Sequence, residues 1–165
     1  MLPIVINPQS AVIGLAGEGE GLARRLHTLQ SAGVEPIRLA PNSPLEGLSV
    51  LFVAGLDYSA SEQLASRARG QGVLVNVEDV PELCDFNVPA ILRRGDLMFT
   101  VSTNGRAPGL ARRLREWLQE RFGAEWEARV VELGSARDQL RAEGARAGVI
   151  TERMRSIIDE KGWLA

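Results

Sequence analysis

The sequence predicts an α/β protein in which an open parallel sheet is followed by an all-helical C-terminal region. Three observations support this fold class. Short apolar runs alternate with amphipathic segments up to Val101, a glycine-rich turn joins the first strand to the first helix, and helical spacing alone follows Gly109. A chain of 165 residues suits one core with a small appendage.

Composition narrows the class of protein. Hydrophobic residues make up 45% of the chain and the net charge is −2, as expected for a globular protein without the basic footprint of a nucleic-acid binder. Cys84 is the only cysteine and His27 the only histidine, so one subunit cannot build a disulfide or a metal site from several such ligands. Without an eighteen-residue apolar run or a signal-peptide pattern, we expect a cytoplasmic protein with no membrane or nucleic-acid partner.

The first elements form a βαβ unit. Residues 2–6 are apolar enough for a short edge strand, and residues 10–16 predict a buried strand. The turn Gly-Glu-Gly-Glu-Gly follows at residues 17–21, then a helix over 22–32 that stops at Gly33, and a strand over 34–40. We expect the connection between the two parallel strands to be right-handed.

The glycine-rich turn has the mechanics of a phosphate-binding site. Gly17, Gly19 and Gly21 allow a tight exit from the strand and a close approach of the backbone to a pyrophosphate at the helix N-terminus. Glu18 and Glu20 bring negative charge to the same place, and no acid ends the second strand to hold a ribose. A glycine-rich turn without a ligand is therefore the alternative.

The link over residues 42–48 is too short for a helix that covers the sheet. Either the next strand, predicted over residues 49–54, lies on the other side of the first strand and is reached by a bare loop, or an element has been lost. The remaining predicted elements are a helix over 59–70 capped by Ser59 or Ser61, a strand over 73–77, an irregular segment over 79–87, a short helical turn over 90–94, a strand over 97–101, and helices over 109–121, 124–146 and 149–158.

Polar residues follow two of the predicted strands. Asn76 lies at the end of the strand over 73–77 and Glu78 and Asp79 follow it, and a Ser-Thr-Asn-Gly run follows the strand over 97–101. Since ligands sit beyond the carboxyl ends of parallel strands, we expect a site where these two ends meet. Asp79 could equally be a turn aspartate that bonds its own backbone.

Arginines are concentrated between residues 93 and 115. This stretch contains six arginines and one acid, Asp96, which gives a local excess charge of +5 that could attract a polyanion. For Arg112, Arg113 and Arg115 a solvated helix face is an equally good interpretation.

Several motifs in order carry a family resemblance. Residues 76–81 (NVEDVP) resemble N-V-x-D-x-P, residues 84–90 (CDFNVPA) resemble C-x-F-x-x-P-A, and residues 101–108 (VSTNGRAP) resemble V-S-T-x-G-x-S-P. With these motifs and the start of the chain, the sequence resembles the precorrin-2 dehydrogenase/sirohydrochlorin ferrochelatase family, the N-terminal domain of siroheme synthases.

The resemblance implies a fold and an activity. The fold is a Rossmann-like parallel sheet, here shortened, then a dimerisation segment and a small C-terminal helical domain. On this basis we expect a Rossmann-like NAD-binding domain over residues 1–108 and a helical dimerisation and C-terminal region over 109–165, assembled as a homodimer. The implied activity is the NAD-dependent oxidation of precorrin-2 to sirohydrochlorin, with Fe²⁺ insertion in the same cleft in some members.

The resemblance also implies the site residues. Asp79 is the expected catalytic residue, taking a proton from the tetrapyrrole. The expected NAD contacts are Gly17, Gly19, Glu20, Gly21, Pro41 and Asn42. The expected substrate contacts are Asn76, Ser102, Thr103, Asn104, Gly105 and Arg106, where arginine suits the carboxylates of the tetrapyrrole. No resident metal is implied.

Three departures from the family pattern lie on the dinucleotide side. The segment between Pro41 and Ser49 is short, Ala54-Gly55-Leu56-Asp57 stands where the family has A-T-[DN]-[DN], and Glu18 replaces a glycine. Two alternatives therefore stand beside the dehydrogenase. One is a tetrapyrrole-binding or chelatase-only relative that has lost NAD binding, and the other is a non-catalytic Rossmann-like dimer.

Overall fold

A computed structural model describes residues Leu2–Leu164 of the chain. The chain divides into two compact units, one up to Val88 and one from Pro89 onward. The sequence had suggested a boundary at residue 108, twenty residues later. The difference arises because the segment over residues 90–101 packs with the helix that follows it.

The first unit is a four-stranded parallel sheet with one helix on each face. The strands are β1 (Ile13–Gly17), β2 (Ile37–Leu39), β3 (Val50–Ala54) and β4 (Leu74–Val77), and the helices are α1 (Gly19–Gln30) and α2 (Tyr58–Arg69). The strand order is β2-β1-β3-β4 with all neighbours parallel. The chain thus passes from β2 to the other side of β1 by a bare loop, which confirms the first of the two alternatives, and the strand order reverses between β1 and β3.

Alternation along the strands separates two cores. Leu51, Val53 and Val75 pack with the inner side of α2, and Leu15 and Phe52 pack on the α1 side. All five residues of β3 are buried, as expected for a central parallel strand covered on both faces.

The ends of the two helices follow from local chemistry. After α1, Val34 N–H donates to Leu29 O at 3.0 Å and Gly33 adopts a φ of +73°, so the predicted stop at this glycine is confirmed. The predicted cap of α2 is wrong. Asp57, in extended conformation directly before the helix, accepts from Ala60 N–H at 2.8 Å, while Ser61 is buried inside it.

The second unit is a β-hairpin with three helices. The hairpin consists of β5 (Ala90–Arg94) and β6 (Leu97–Val101), paired antiparallel, and the helices are α3 (Pro108–Arg121), α4 (Glu125–Ala142) and α5 (Ala147–Glu160). The predicted helical turn over 90–94 is therefore wrong, and so is the expectation that residues 97–101 extend the parallel sheet. Only Gly95 and Asp96 separate the strands, and such a short loop permits antiparallel pairing alone.

The second unit buries little of its own apolar surface. Aromatic rings pack in a row from Phe99 through Phe122 and Trp126 to Trp163, with neighbouring centroids 4.4–6.4 Å apart. Among its described residues, the buried apolar side chains are Leu92, Ala111 and Ile157, and each keeps 5–8% of its surface exposed.

The apolar run over residues 2–6 forms no strand, and Leu2 and Val5 are 83% and 77% exposed. No helix between Leu2 and Leu164 is long and apolar enough to cross a bilayer.

Candidate functional site: a dinucleotide crevice and a strained aspartate

The turn that leaves β1 packs backbone to backbone on the turn that leaves β3. Glu18 N–H donates to Ala54 O at 3.1 Å, and Gly17 adopts a φ of +142° at which a Cβ would overlap that same oxygen. Gly55, with a φ of +76°, lies against the carbonyl oxygen of Glu18 in the same way. Both positions therefore require glycine. Two of the departures from the family pattern, Glu18 and Gly55, are thus direct neighbours at the point where the strand order reverses.

The first turn of α1 is open to a ligand. A Cβ added to Gly19 would meet no atom within 4 Å, and the side chain of Glu18 makes no capping hydrogen bond. The first amide groups of a helix have no partner within it and carry the positive end of its dipole. This turn, with its glycine cradle, fits the pyrophosphate of a dinucleotide. The carboxylate of Glu20 is exposed and lies 3.8 Å from Arg24.

One carboxylate lies inside this crevice. Glu78 follows β4, and its Oε2 would be 2.6 Å from a Cβ at Gly21, in the first turn of α1. Its side chain is only 18% exposed, and Arg24 Nη2 lies 3.4 Å from Oε2. The backbone of Gly55 packs against the same face of Gly21. Because Gly21 has no side chain, the Glu78 carboxylate can reach the helix.

Arg25 brings a second guanidinium to this region. It lies over the ring of Phe52, with 5.4 Å between Cζ and the ring centroid, and its buried Nε donates to no acceptor within residues Leu2–Leu164. Desolvation lowers the pKa of Arg25 below its ordinary value, and the nearby carboxylates of Glu78 and Asp79 oppose that shift. Neither Arg24 nor Arg25 is among the site residues that the sequence predicts.

The loop after β2 is held by an arginine of α2. Pro41 and Asn42 are exposed there, at the same edge of the sheet as the glycine-rich turn because the strands are parallel. The Arg67 guanidinium donates to Pro41 O at 2.6 Å and to Ser43 O at 2.9 Å. The predicted cofactor contacts Pro41 and Asn42 therefore belong to a fixed loop.

Asp79 is held in a conformation that is uncommon for a residue with a side chain. It has a φ of +59° in the turn that follows β4, closed by Val80 N–H to Val77 O at 3.4 Å. Aspartate tolerates this left-handed region better than most residues, at a cost of about 1 kcal/mol. The residue is exposed, and its carboxylate makes no hydrogen bond or ion pair within the described chain. The carboxylate is thus not needed to hold the turn, and it remains available for chemistry.

The segment after Asp79 covers the free edge of β4 with side chains, a feature that the sequence analysis missed. Asp85 accepts from Val75 N–H at 2.9 Å through Oδ2, and its own N–H donates to Val75 O at 2.8 Å. Cys84 Sγ lies 3.3 Å from Val77 N and 3.2 Å from Val77 O. The sequence signal was the pair Cys84-Asp85 shortly after the strand, but it does not identify the groups that these side chains bond.

Asn76 also holds this segment. It is 5% exposed, and its Nδ2 donates to Phe86 O at 2.9 Å, while its buried Oδ1 accepts no hydrogen bond from residues Leu2–Leu164. The side chain was expected to contact the substrate. In this geometry it secures the segment that follows Asp79.

The other expected substrate contacts lie in the second unit, between β6 and α3. Asn104 and Gly105 have φ values of +55° and +76°, and Arg106 N–H donates to Thr103 O at 3.1 Å, which closes a tight turn. The Ser102 and Thr103 hydroxyls accept from Asn104 N–H and Ala107 N–H respectively. Both hydroxyl hydrogens thus remain free to donate outward, beside an exposed Arg106.

Three arginines of the arginine-rich stretch share one carboxylate. Arg112, Arg113 and Arg115 all lie 3.1–3.6 Å from the carboxylate of Glu116, and the hydrogen bond from Arg112 is the main reason why the pKa of Glu116 is lowered. Arg94 instead donates to Phe122 O at the end of α3. This arrangement favours the solvated-face interpretation for the three helix arginines and leaves Arg106 for a ligand.

The first unit therefore gathers the predicted dinucleotide contacts and Asp79 along one edge of its sheet, while residues 102–106 belong to the second unit. Within residues Leu2–Leu164, no three His, Cys, Asp or Glu side chains form a candidate metal site. A parallel sheet with its order reversed at a glycine-rich strand–helix turn defines a dinucleotide-binding protein of the Rossmann class.

Comparison with known proteins supports the same dinucleotide-binding class. A family model described as "Putative NAD(P)-binding" matches residues 38–90. The siroheme synthases of Methylococcus capsulatus and Nitrosococcus oceani are each 31% identical, over 149 and 141 residues that cover 74% and 72% of this chain. The solved structure of "SirC, precorrin-2 dehydrogenase" superposes with a TM-score of 0.78 at 19% identity, covering all of this chain and 93% of that one.

The chain belongs to the precorrin-2 dehydrogenase/sirohydrochlorin ferrochelatase family. It spans about a third of the length of the siroheme synthases that it matches, 31% and 30% in the two cases above.

Proposed function

We propose that this chain oxidises precorrin-2 to sirohydrochlorin with NAD as the oxidant, a step of siroheme biosynthesis. The observation that carries the proposal is Asp79, an unpaired carboxylate held at a φ of +59° at the carboxyl end of β4. The neighbouring strand, β3, forms the crevice that fits a dinucleotide. An acid in a strained backbone conformation beside such a crevice is typical of a catalytic group.

The residues divide the work between cofactor and substrate. The turn with Gly17, Gly19, Glu20 and Gly21 would hold the phosphates of NAD, and the loop with Pro41 and Asn42 would hold the adenosine end. Bound NAD would supply the hydride acceptor. Asp79 would act as the general base and take the proton that leaves the tetrapyrrole.

The substrate would be held through its carboxylates. Ser102 and Thr103 offer hydroxyl donors, the tight turn at Asn104 and Gly105 presents backbone, and the exposed Arg106 offers a bidentate guanidinium. Asn76 would contribute indirectly, through the segment that it secures after Asp79.

Activity measured with NAD⁺ and precorrin-2 tests this function. We expect the absorbance change toward sirohydrochlorin with the natural chain. Asp79→Asn should reduce kcat by roughly 10²–10⁴-fold, since that is the usual contribution of a general base, and it should leave thermal stability unchanged because asparagine also tolerates a positive φ. Asp138→Asn, at an exposed acid of α4, is the matched control. A natural chain without turnover, beside an active siroheme synthase, would contradict the proposal.

A chelatase or tetrapyrrole-binding relative without NAD is the second candidate, and the position of Glu78 against Gly21 favours it. Fe²⁺ would then be a substrate, and Asp79 would take the pyrrole protons. Calorimetry separates the two candidates, because this one requires sirohydrochlorin binding, or Fe²⁺ insertion, without any heat of NAD⁺ binding.

We further propose a homodimer that uses the second unit. Leu110, Leu114 and Trp117 lie on one face of α3 at helical spacing and are 53%, 40% and 49% exposed, in a unit that buries few apolar side chains of its own. Sedimentation should give a dimer for the natural chain and a monomer for Leu114→Glu, with Val131→Glu on α4 as control. A natural chain that sediments as a monomer would exclude this assembly.

Cys84 is a free cysteine, and its sulfur takes part in hydrogen bonds. A free thiol suits a reducing compartment, and we propose that the chain is located in the cytoplasm.

A further inference from the structure

Glu78 is the acid that a dinucleotide would meet in the crevice. Its carboxylate approaches the first turn of α1 at Gly21, two residues from the open cradle at Gly19. A helix N-terminus attracts anions, and an internal carboxylate competes there with the phosphates of a ligand. Glu18 and Glu20 are also acidic, but both are exposed and can turn toward solvent, whereas the side chain of Glu78 is 18% exposed.

The Glu78 carboxylate also forms an ion pair with the nearest cation, Arg24. Arg24 Nη2 lies 3.4 Å from Glu78 Oε2, and the other acid within reach of Arg24, Glu20, lies farther away at 3.8 Å. The Arg24 side chain is 62% exposed and can turn from one anionic partner to another, but the Glu78 carboxylate that it leaves is only 18% exposed and must then move toward solvent. Arg25, with its unpartnered buried Nε, adds positive charge on the same side of the sheet.

We propose that Glu78 sets the dinucleotide affinity of this chain, because it occupies the space beside Gly21 and holds Arg24, which the pyrophosphate would otherwise engage. The inference rests on the proposed function, for which the crevice must accept NAD. Binding then requires the Glu78 carboxylate to withdraw from Gly21 and Arg24 to pass from a carboxylate to a phosphate. Glu78 is thus an affinity-determining residue and takes no part in hydride or proton transfer.

Two substitutions distinguish the effect of the volume that Glu78 fills beside Gly21 from the effect of its charge. Glu78→Gln keeps the volume and removes the charge, and Glu78→Ala removes both. Glu82→Gln removes one charge from an exposed position in the same segment and serves as the matched control. Arg24→Gln removes the cation for which carboxylate and phosphate compete.

Calorimetric titration of the full chain with NAD⁺ measures the effect. Removing one unit of like charge near the phosphates should lower Kd by about tenfold for Glu78→Gln, since charges a few ångströms apart at a largely buried site interact at this scale or more strongly. Glu78→Ala should bind at least as tightly, Glu82→Gln should match the natural chain within about twofold, and Arg24→Gln should bind more weakly. Thermal unfolding without ligand confirms that each variant is folded.

Two outcomes overturn the inference. One is a Kd for both Glu78→Gln and Glu78→Ala that equals or exceeds that of the natural chain. The other is a gain for Glu82→Gln as large as that for Glu78→Gln, which would reveal a general charge effect.

Turnover of precorrin-2 separates this inference from the proposed function. If the Glu78 variants bind NAD⁺ more tightly but no variant oxidises precorrin-2, the inference stands and the proposed function fails. If the natural chain oxidises precorrin-2 and the variants bind NAD⁺ no more tightly, the function stands and the inference fails. Where turnover occurs, Glu78→Gln should lower KM for NAD⁺ and leave kcat unchanged, because only uniform binding is altered.

Discussion

Replacement of Asp85 by alanine should destabilise the first unit by about 2–3 kcal/mol. The substitution leaves Val75 N–H without its acceptor in a residue that is 0% exposed, and such an unsatisfied donor costs about 1–3 kcal/mol. It also removes the 2.9 Å ion pair with Arg69. The two side chains are 26% and 38% exposed, so that pair adds at most about 1 kcal/mol.

Asp85→Asn separates these two terms. The asparagine oxygen can still accept from Val75 N–H, so this variant should lose less than about 1 kcal/mol, the value of the half-exposed ion pair alone. Urea unfolding followed by far-ultraviolet circular dichroism gives both free energies. For a unit of this size the alanine variant should also melt lower by on the order of 10 °C.

Hydrogen exchange provides the residue-level measurement. The amide of Val75 should lose protection in Asp85→Ala and keep it in Asp85→Asn, because only the first variant removes the acceptor. The reasoning is refuted if Asp85→Ala unfolds within about 0.5 kcal/mol of the natural chain, the usual effect of a surface substitution. Equal losses for both variants would mean that the ion pair, and not the edge of β4, is what Asp85 stabilises.

Two further predictions follow from the geometry. Gly17→Ala should cost more than about 3 kcal/mol in urea unfolding, because its Cβ would overlap Ala54 O, whereas Gly19→Ala meets open space and should cost only about 1–2 kcal/mol for its positive φ; equal losses would contradict the packing of the two turns. The folded pKa of Glu116 is lowered from 4.5, so its contribution to stability is present above that value and is lost as the pH falls through the lower folded value. Glu116→Gln should therefore flatten this part of the acid-side fall in melting temperature, and an unchanged profile would show that the arginine cluster does not stabilise α3.

Local patterns predicted much of the first unit. The buried runs, the glycine-rich turn and the stop at Gly33 are set by residues close in sequence, and the structure contains each of them. The shortness of the link after β2 also limited the topology to two choices, of which the structure has the loop crossing to the other side of β1.

The wrong predictions arose where pairing decides the structure. Residues 90–94 and 97–101 have the same apolar character as a parallel strand or a short helix, and only the two-residue Gly95-Asp96 loop indicates that they pair with each other. The cap of α2 depended on which of several polar residues adopts an extended backbone, and that residue is Asp57.

The motifs predicted which residues belong to the site but not which of them contact one another. The motifs located Asp79 and the turn with Asn104, and these two residues are the only non-glycine residues with positive φ in the described chain. The sequence could not reveal that Glu78 reaches Gly21, because that contact joins residues far apart in sequence. Nor could it reveal that Cys84 and Asp85 bond the edge of β4, since their motif gives no partner.

The bare loop from β2 to β3 has a consequence for recognition. A connection without its own secondary structure is ordinarily among the softest parts of a fold, and ordering it on binding consumes part of the interaction energy. Here the Arg67 guanidinium holds the carbonyl oxygens of Pro41 and Ser43 before any ligand arrives. The surface that we propose for the adenosine group is therefore preorganised, because one side chain of α2 restrains the loop.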